Sequence, residues 1–195
     1  MKTYCINLDH RPERWAHAQE ECAKMGIEVE RFSAVYHEDQ RGWVGCTDSH
    51  IKLLTETENK FFLILEDDVE FLPGADYILQ EAISQLPEDW DMLYLGASPK
   101  EPQERYSDNL FKLNNAHVTH AILWNNRKDG ALEYIIEHRD DIVKIDDFFA
   151  TVIQPKFNVY VTYPMVCSQS PKFSSDIAKR SDTTTILRNY KMYCK

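Results

Sequence analysis

One apolar run, Phe61-Phe62-Leu63-Ile64-Leu65, passes without interruption into three carboxylates, Glu66-Asp67-Asp68, and then Val69. A run this short, with aromatic and β-branched members, predicts a strand buried on both faces, as at the centre of a parallel sheet. Upstream, Tyr4-Cys5-Ile6-Asn7-Leu8 reads as a first strand. Asp9 or His10 then caps a helix with Pro12 in its first turn, where a proline is tolerated. Trp15, Ala18, Cys22 and Met25 follow at helical spacing, and Gly26 ends that helix. Ile27 to Val35 supplies a second strand, so the chain opens with a β-α-β unit. A polar loop, Tyr36 to Trp43, precedes a helix from Ile51 to about Asn59, with Thr47 or Asp48 as its cap.

After the carboxylates, Pro73-Gly74 breaks the chain, and Ile78, Leu79, Ala82, Ile83 and Leu86 make an amphipathic helix. Asp91 to Gly96 is another short buried strand, and Ala97 to Asn109 a long loop of the kind that often binds or covers a ligand. Phe111 to Leu113 and His117 to Trp124 read as strands, Ala131 to Glu137 as a helix. Asp146 and Asp147 are placed to cap a further helix carrying Phe148, Phe149, Val152 and Ile153. Asn158 to Tyr163 alternates like a late strand, and beyond Pro164 the chain turns polar and then basic. No repeat or domain boundary is visible. The pattern predicts one α/β domain with a mostly parallel central sheet flanked by helices, its core about residues 3–177 and a basic tail over 178–195.

Composition narrows this only modestly. The chain has 195 residues, 43% hydrophobic and 28% charged, which suits one soluble globular domain. A formal charge of −10 argues against nucleic acid or an anionic membrane surface as partner. Five scattered cysteines, without a CxxC pair or a Cys/His metal spacing, point to reduced thiols, a cytoplasmic setting and no zinc site. No apolar segment reaches membrane-spanning length.

The triplet changes the picture more. Three adjacent carboxylates repel one another and cannot all be buried without a positive partner. Their hard oxygens favour Mg2+, Mn2+ or Ca2+, and ligands of open α/β sheets bind outside the carboxyl ends of strands. Strand alternation places Glu66 and Asp68 on one side and Asp67 on the other. The alternative is a solvated acidic strand end.

The ordered set Ile6-Asn7-Leu8-Asp9-x-Arg11-x-x-Arg14, Gly45-Cys46-x-x-Ser49-His50 and Leu65-Glu66-Asp67-Asp68-Val69 resembles glycosyltransferase family 25. Asp89-Trp90-Asp91, Leu95-Gly96, Gly130-Ala131, Ile145-Asp146, Pro164, Gln169 and Ser175-Asp176-Ile177 follow in matching order. The resemblance implies a GT-A-type fold, a nucleotide-sugar donor such as a UDP-hexose, a divalent metal (Mn2+ or Mg2+), and inverting transfer to a hydroxyl of a glycan or glycoconjugate. On it, Asp68 and Glu66 are expected at the metal, with Glu66 and Asp67 also towards ribose or water. Asn7, Leu8, Arg11, Arg14, Ser49 and His50 are expected at the donor, and Asp146 or Asp147 as general base.

Other readings stay open. Arg14 either pairs with the diphosphate or forms a salt bridge to Glu20 or Glu21. His50 is either a ligand contact or a helix-start contact, and Asp146 and Asp147 either a base or simple caps. His117 and His120, three apart on one strand, would face opposite sides. No histidine follows His138 to act as the late metal ligand common in this fold, so Gln169, Asp176 or water would replace it. Asp9-His10-Arg11 stands where a double arginine is frequent. An inactive, binding or scaffolding relative is the main rival. A metal-dependent nucleotidyltransferase is the other, although no glycine-rich phosphate loop is present.

Overall fold

The computed structural model describes residues 1–38 and 41–173. Ser175-Asp176-Ile177 and the basic tail lie outside the described residues. Strand β1 (Lys2–Asn7), helix α1 (Pro12–Lys24) and strand β2 (Glu30–Ser33) form the opening β-α-β unit. Helix α2 (Gly42–Glu56) leads into β3 (Phe61–Glu66), and β4 (Val69–Phe71) into α3 (Ala75–Ser84). Then come β5 (Met92–Tyr94), β6 (Ser98–Pro99), β7 (Glu104–Arg105), β8 (Leu110–Lys112), β9 (Ala116–His117) and β10 (Ala121–Asn125). Helix α4 (Ala131–Glu137) matches its predicted span. A last helix, α5, starts at Ile145–Phe148, passes through a π turn at Phe149–Ile153 and closes with Gln154–Lys156. Strands β11 (Val159–Thr162) and β12 (Cys167–Gln169) complete the described chain.

Eight strands form the main sheet in the order β2-β1-β3-β10-β5-β11-β8-β7. It is mixed rather than mostly parallel. β1 runs parallel to β2 and β3, and β5 to β11, but β10 inserts antiparallel between β3 and β5. The burial that suggested a parallel sheet has another source: helices cover both faces. Phe62 and Ile64 pack with Trp124 and Phe149 on one face, and Leu63 and Leu65 with Cys22 and Leu79 on the other. Each such side chain contributes roughly 1.5–3 kcal/mol when withdrawn from water.

Two further predictions change. Helix α2 begins at Gly42, so Thr47 and Asp48 lie inside it and not at its cap. The Thr47 hydroxyl donates to the Trp43 carbonyl and accepts from the Ile145 N–H. Likewise the predicted His117–Trp124 strand is split, because Val118 sits at φ 73°. A β-branched residue there is strained, at a cost of roughly 1–3 kcal/mol, and the argument from one strand's alternation fails for His117 and His120. Asp9 caps no helix; it pairs with Arg31 and accepts from Ser33 at 2.7 Å, while Arg11 occupies the α1 cap position.

Candidate active site

Parallel pairing of β1 with β3 sets Ile6 beside Glu66, so the loops leaving both strands open on the same side of the sheet. A cavity of about 570 Å³ lies there, lined by Leu8, Arg11, Trp43, His50, Asp68 and Gln169 among others. Its far wall depends on Gly45. A Cβ at that position would lie 2.6 Å from the Val35 carbonyl oxygen, so only glycine lets α2 approach the loop after β2. Ser49 secures the contact, accepting from the Val35 N–H at 2.8 Å and donating to the Gly45 carbonyl at 2.5 Å.

The three carboxylates point to three different partners. Glu66 ends β3 and accepts from the Thr119 hydroxyl at 2.6 Å, with His50 Nε2 3.2 Å from the same oxygen. Burial raises its pKa, but the His50 and Thr119 contacts outweigh that, and the net direction is down. Asp67 accepts from Asn7 Nδ2 at 2.8 Å and pairs with Arg14 at 3.2 Å. Burial still holds its pKa above the usual value, against the opposing pull of Asn7 and Arg14. Asp68 has the Gln169 amide 3.3 Å and 3.5 Å from its two oxygens, because β12 pairs antiparallel with β4 and delivers Gln169 beside the turn. The strand ends at Glu66, and the turn over Asp67-Asp68 replaces the simple alternation predicted.

The residues predicted at the donor divide between the cavity wall and its support. Leu8, Arg11, Arg14, Ser49, His50, Glu66 and Asp67 all line the cavity, as does Asp68, predicted at the metal. Asn7 is buried behind it, donating to the Arg11 carbonyl and Asp67 and accepting from Arg31 Nε at 2.8 Å. Arg14 is partnered by Asp67 rather than by Glu20 or Glu21, and its guanidinium lies 5.0 Å from the Phe173 ring. Glu21 instead pairs with Lys24 and accepts from the Phe71 N–H at 3.0 Å.

The adjacent acids on α5 separate cleanly. Neither is the cap, which is Lys144. Asp146 turns inward, and burial, followed by the Glu66 charge, raises its pKa to about 6. Its Oδ1 is buried without a hydrogen-bond partner among the described residues. Asp147 turns outward to Lys144 at 3.3 Å and His117 at 3.5 Å. Successive helical residues point about 100° apart, which accounts for the split. His120 is buried against Gly96, and burial lowers its pKa to about 4.

Two residues had no role assigned from the sequence, although Cys46 stands within the Gly45-Cys46-x-x-Ser49-His50 pattern. Thr119 reaches Glu66 only because Val118 turns the chain. Cys46 stands one helical turn from His50, and β3 brings Glu66 to both, so that one ligand atom from each lies within 4.8 Å of the others.

No family model matches the chain. It is 26% identical over 186 residues to a glycosyltransferase 25 family member of Drosophila melanogaster, covering 75% of this chain and 30% of that protein. A putative glycosyltransferase of Acanthamoeba polyphaga mimivirus is 22% identical over 104 residues, 51% of this chain and 32% of the relative. The chain therefore spans about a third of the length of the curated relatives it matches. In sequence it resembles the glycosyltransferase 25 family. Among solved structures, a glycosyltransferase involved in glycosylation of the major capsid of PBCV-1 superposes with TM-score 0.54 at 11% identity, covering 98% of both chains. The catalytic domain of Drosophila β1,4-galactosyltransferase 7, in complex with xylobiose, gives 0.50 at 12% identity over 96% of this chain and 79% of that one. The fold is that of the GT-A glycosyltransferases. No helix among the described residues is long and apolar enough to cross a membrane.

Proposed function

We propose that this chain is an inverting glycosyltransferase that moves a hexose, galactose or glucose, from a UDP-sugar to a hydroxyl of a glycan or glycoconjugate. The observation that carries the reading is the gathering of Glu66, Asp67 and Asp68 on the wall of one cavity, each with its own partners. Asp67 is held by Asn7 and Arg14, Glu66 by Thr119 and His50, and Asp68 lies beside the Gln169 amide.

The donor set at the turn suits a hard divalent cation such as Mn2+ or Mg2+. Asp68 and Glu66 offer carboxylate oxygens, and Gln169 offers an amide whose oxygen and nitrogen exchange places by a half-turn of the group. Gln169 thus takes the place of the absent late histidine. When bound, such an ion offsets the charge that accumulates on the leaving diphosphate. Arg11, at the start of α1, presents a further positive group to the same cavity, where a diphosphate gains from a helix N-terminus. Leu8 and the wall carrying Trp43 flank the space for the nucleoside.

Asp146 is the general base in this reading. Its raised pKa makes it a stronger proton acceptor than an ordinary carboxylate, while at pH 7 it remains mostly ionised. It takes the acceptor hydroxyl's proton as that oxygen attacks the anomeric carbon, and UDP departs from the opposite face. Asp147, tied to Lys144 and His117, leaves that role to its neighbour.

A panel of nucleotide sugars, incubated with and without Mn2+, tests the reading. Release of free UDP from a UDP-hexose is expected, whereas release of pyrophosphate would identify nucleotidyl transfer instead.

A further inference from the structure

Cys46 and His50 lie at i and i+4 on α2 and so share one face of the helix. Strand β3 brings Glu66 to that face, and the thiol, an imidazole nitrogen and a carboxylate oxygen lie within 4.8 Å of one another. His50 is almost fully buried; its Nε2 is 3.2 Å from Glu66 Oε1, and its Nδ1 is buried with no hydrogen-bond partner among the described residues. Asp146 adds a second buried polar atom without a partner, Oδ1, and its charge is felt at Cys46. Buried polar atoms left unpaired are uncommon, and each is costly. Thr119 donates to Glu66 at 2.6 Å, which fixes the carboxylate's orientation.

We propose that Cys46, His50 and Glu66 bind one thiophilic divalent cation of the zinc class beside Asp146, at a site that shares Glu66 with the oxygen-donor set but is otherwise separate from Asp68 and Gln169. The ligand chemistry separates the two. A sulfur, a nitrogen and a carboxylate oxygen form a set that zinc accepts readily and that Mg2+ or Mn2+ binds poorly. Tetrahedral zinc holds such atoms roughly 3.3–3.8 Å apart, so the three side chains need close by only about 1 Å. On binding, the cation displaces the thiol proton to solvent and the sulfur enters as thiolate. Occupancy also withdraws Glu66 from the oxygen-donor set, so zinc inhibits sugar transfer; that consequence rests on the proposed function, while the binding itself does not.

Titration of the full chain with Co2+, read by absorption, tests the site without an activity assay. Wild-type protein is expected to take up one equivalent with a thiolate-to-cobalt charge-transfer band and tetrahedral d–d bands, both erased by Zn2+. Cys46→Ser is expected to lose the charge-transfer band and weaken Zn2+ binding by at least about tenfold, with unchanged circular dichroism. Asp68→Ala is expected to keep both. Absence of the band in wild-type protein overturns the proposal, as does a band that survives Cys46→Ser or disappears in Asp68→Ala. If Cys46→Ser does not fold, Cys46→Ala takes its place with the same expectations, and His50→Gln is expected to weaken Zn2+ binding by at least about tenfold. Loss of UDP release with the cobalt band intact would instead count against the transferase reading alone.

Discussion

Asp91 and Asp146 are both largely buried aspartates close to the central sheet, and their surroundings are opposite. Asp91 accepts from Arg127 Nε and a terminal guanidinium nitrogen at 2.9 and 3.0 Å, from the Ala131 N–H at 3.0 Å and from the Asn158 N–H at 2.9 Å. Gly130 makes room for it, since a Cβ there would lie 2.7 Å from Asp91 Oδ1. It joins β5, α4 and the start of β11, and its chemistry is complete. Asp146 has a buried oxygen with no hydrogen-bond partner among the described residues and a neighbouring negative charge at Glu66. A carboxylate whose hydrogen bonds are all made anchors a fold, whereas one held near charge without them is poised to take a proton.

Substitution at each site breaks the comparison differently. Asp146→Asn removes the proposed base, so transfer is expected to fall by roughly 10²–10⁴-fold in steady-state assays while urea unfolding shows a retained fold. Asp91→Asn is expected to lose ~3–5 kcal/mol of stability in the same urea titration, since Arg127 and two N–H groups lose their charged partner. An Asp91→Asn protein that keeps full stability, or an Asp146→Asn protein that unfolds, would reverse the assignment.

Stability against pH sharpens the contrast further. The folded pKa of Asp146, about 6, lies above its ordinary value of 3.8, so the native state holds the proton more tightly than the unfolded chain. Its stabilising contribution is therefore full below pH 3.8 and is lost as pH rises through about 6. In metal-free protein, Asp146→Asn is expected to remove this loss and gain on the order of 2–3 kcal/mol relative to wild type at pH 7 over pH 4. A stability difference that does not vary across that window would contradict the buried, ionised state. The smallest effect belongs to Asp147→Asn, which removes half-exposed ion pairs to Lys144 and His117. Stability is expected to change by less than about 0.5 kcal/mol and rate by less than about twofold.

Much of this arrangement is written in local patterns. The β1-α1-β2 opening, the span of α4 and the delivery of three carboxylates at the end of β3 follow from periodicity and turn residues. Other features depend on tertiary placement. An apolar run shows that β3 is covered on both faces, but not that an antiparallel β10 lies beside it. Adjacent Asp146 and Asp147 have equal claims until the rotation of α5 is fixed by Ile145, whose N–H donates to Thr47 at 3.1 Å. Val118 breaks a strand that its composition favours, because the turn it makes carries Thr119 to Glu66. Cys46 offered no metal spacing of its own, since its third companion comes from β3, sixteen residues beyond His50.

The central claim is that this cavity is a metal-assisted site for a nucleoside diphosphate. Calorimetric titration of UDP into wild-type protein and Asp68→Ala, each with and without Mn2+, tests it most directly. Saturable UDP binding is expected to strengthen with Mn2+ in wild type and to lose that Mn2+ dependence in Asp68→Ala, with both proteins folded. UDP binding indifferent to Mn2+, or equal in the two proteins, would contradict it.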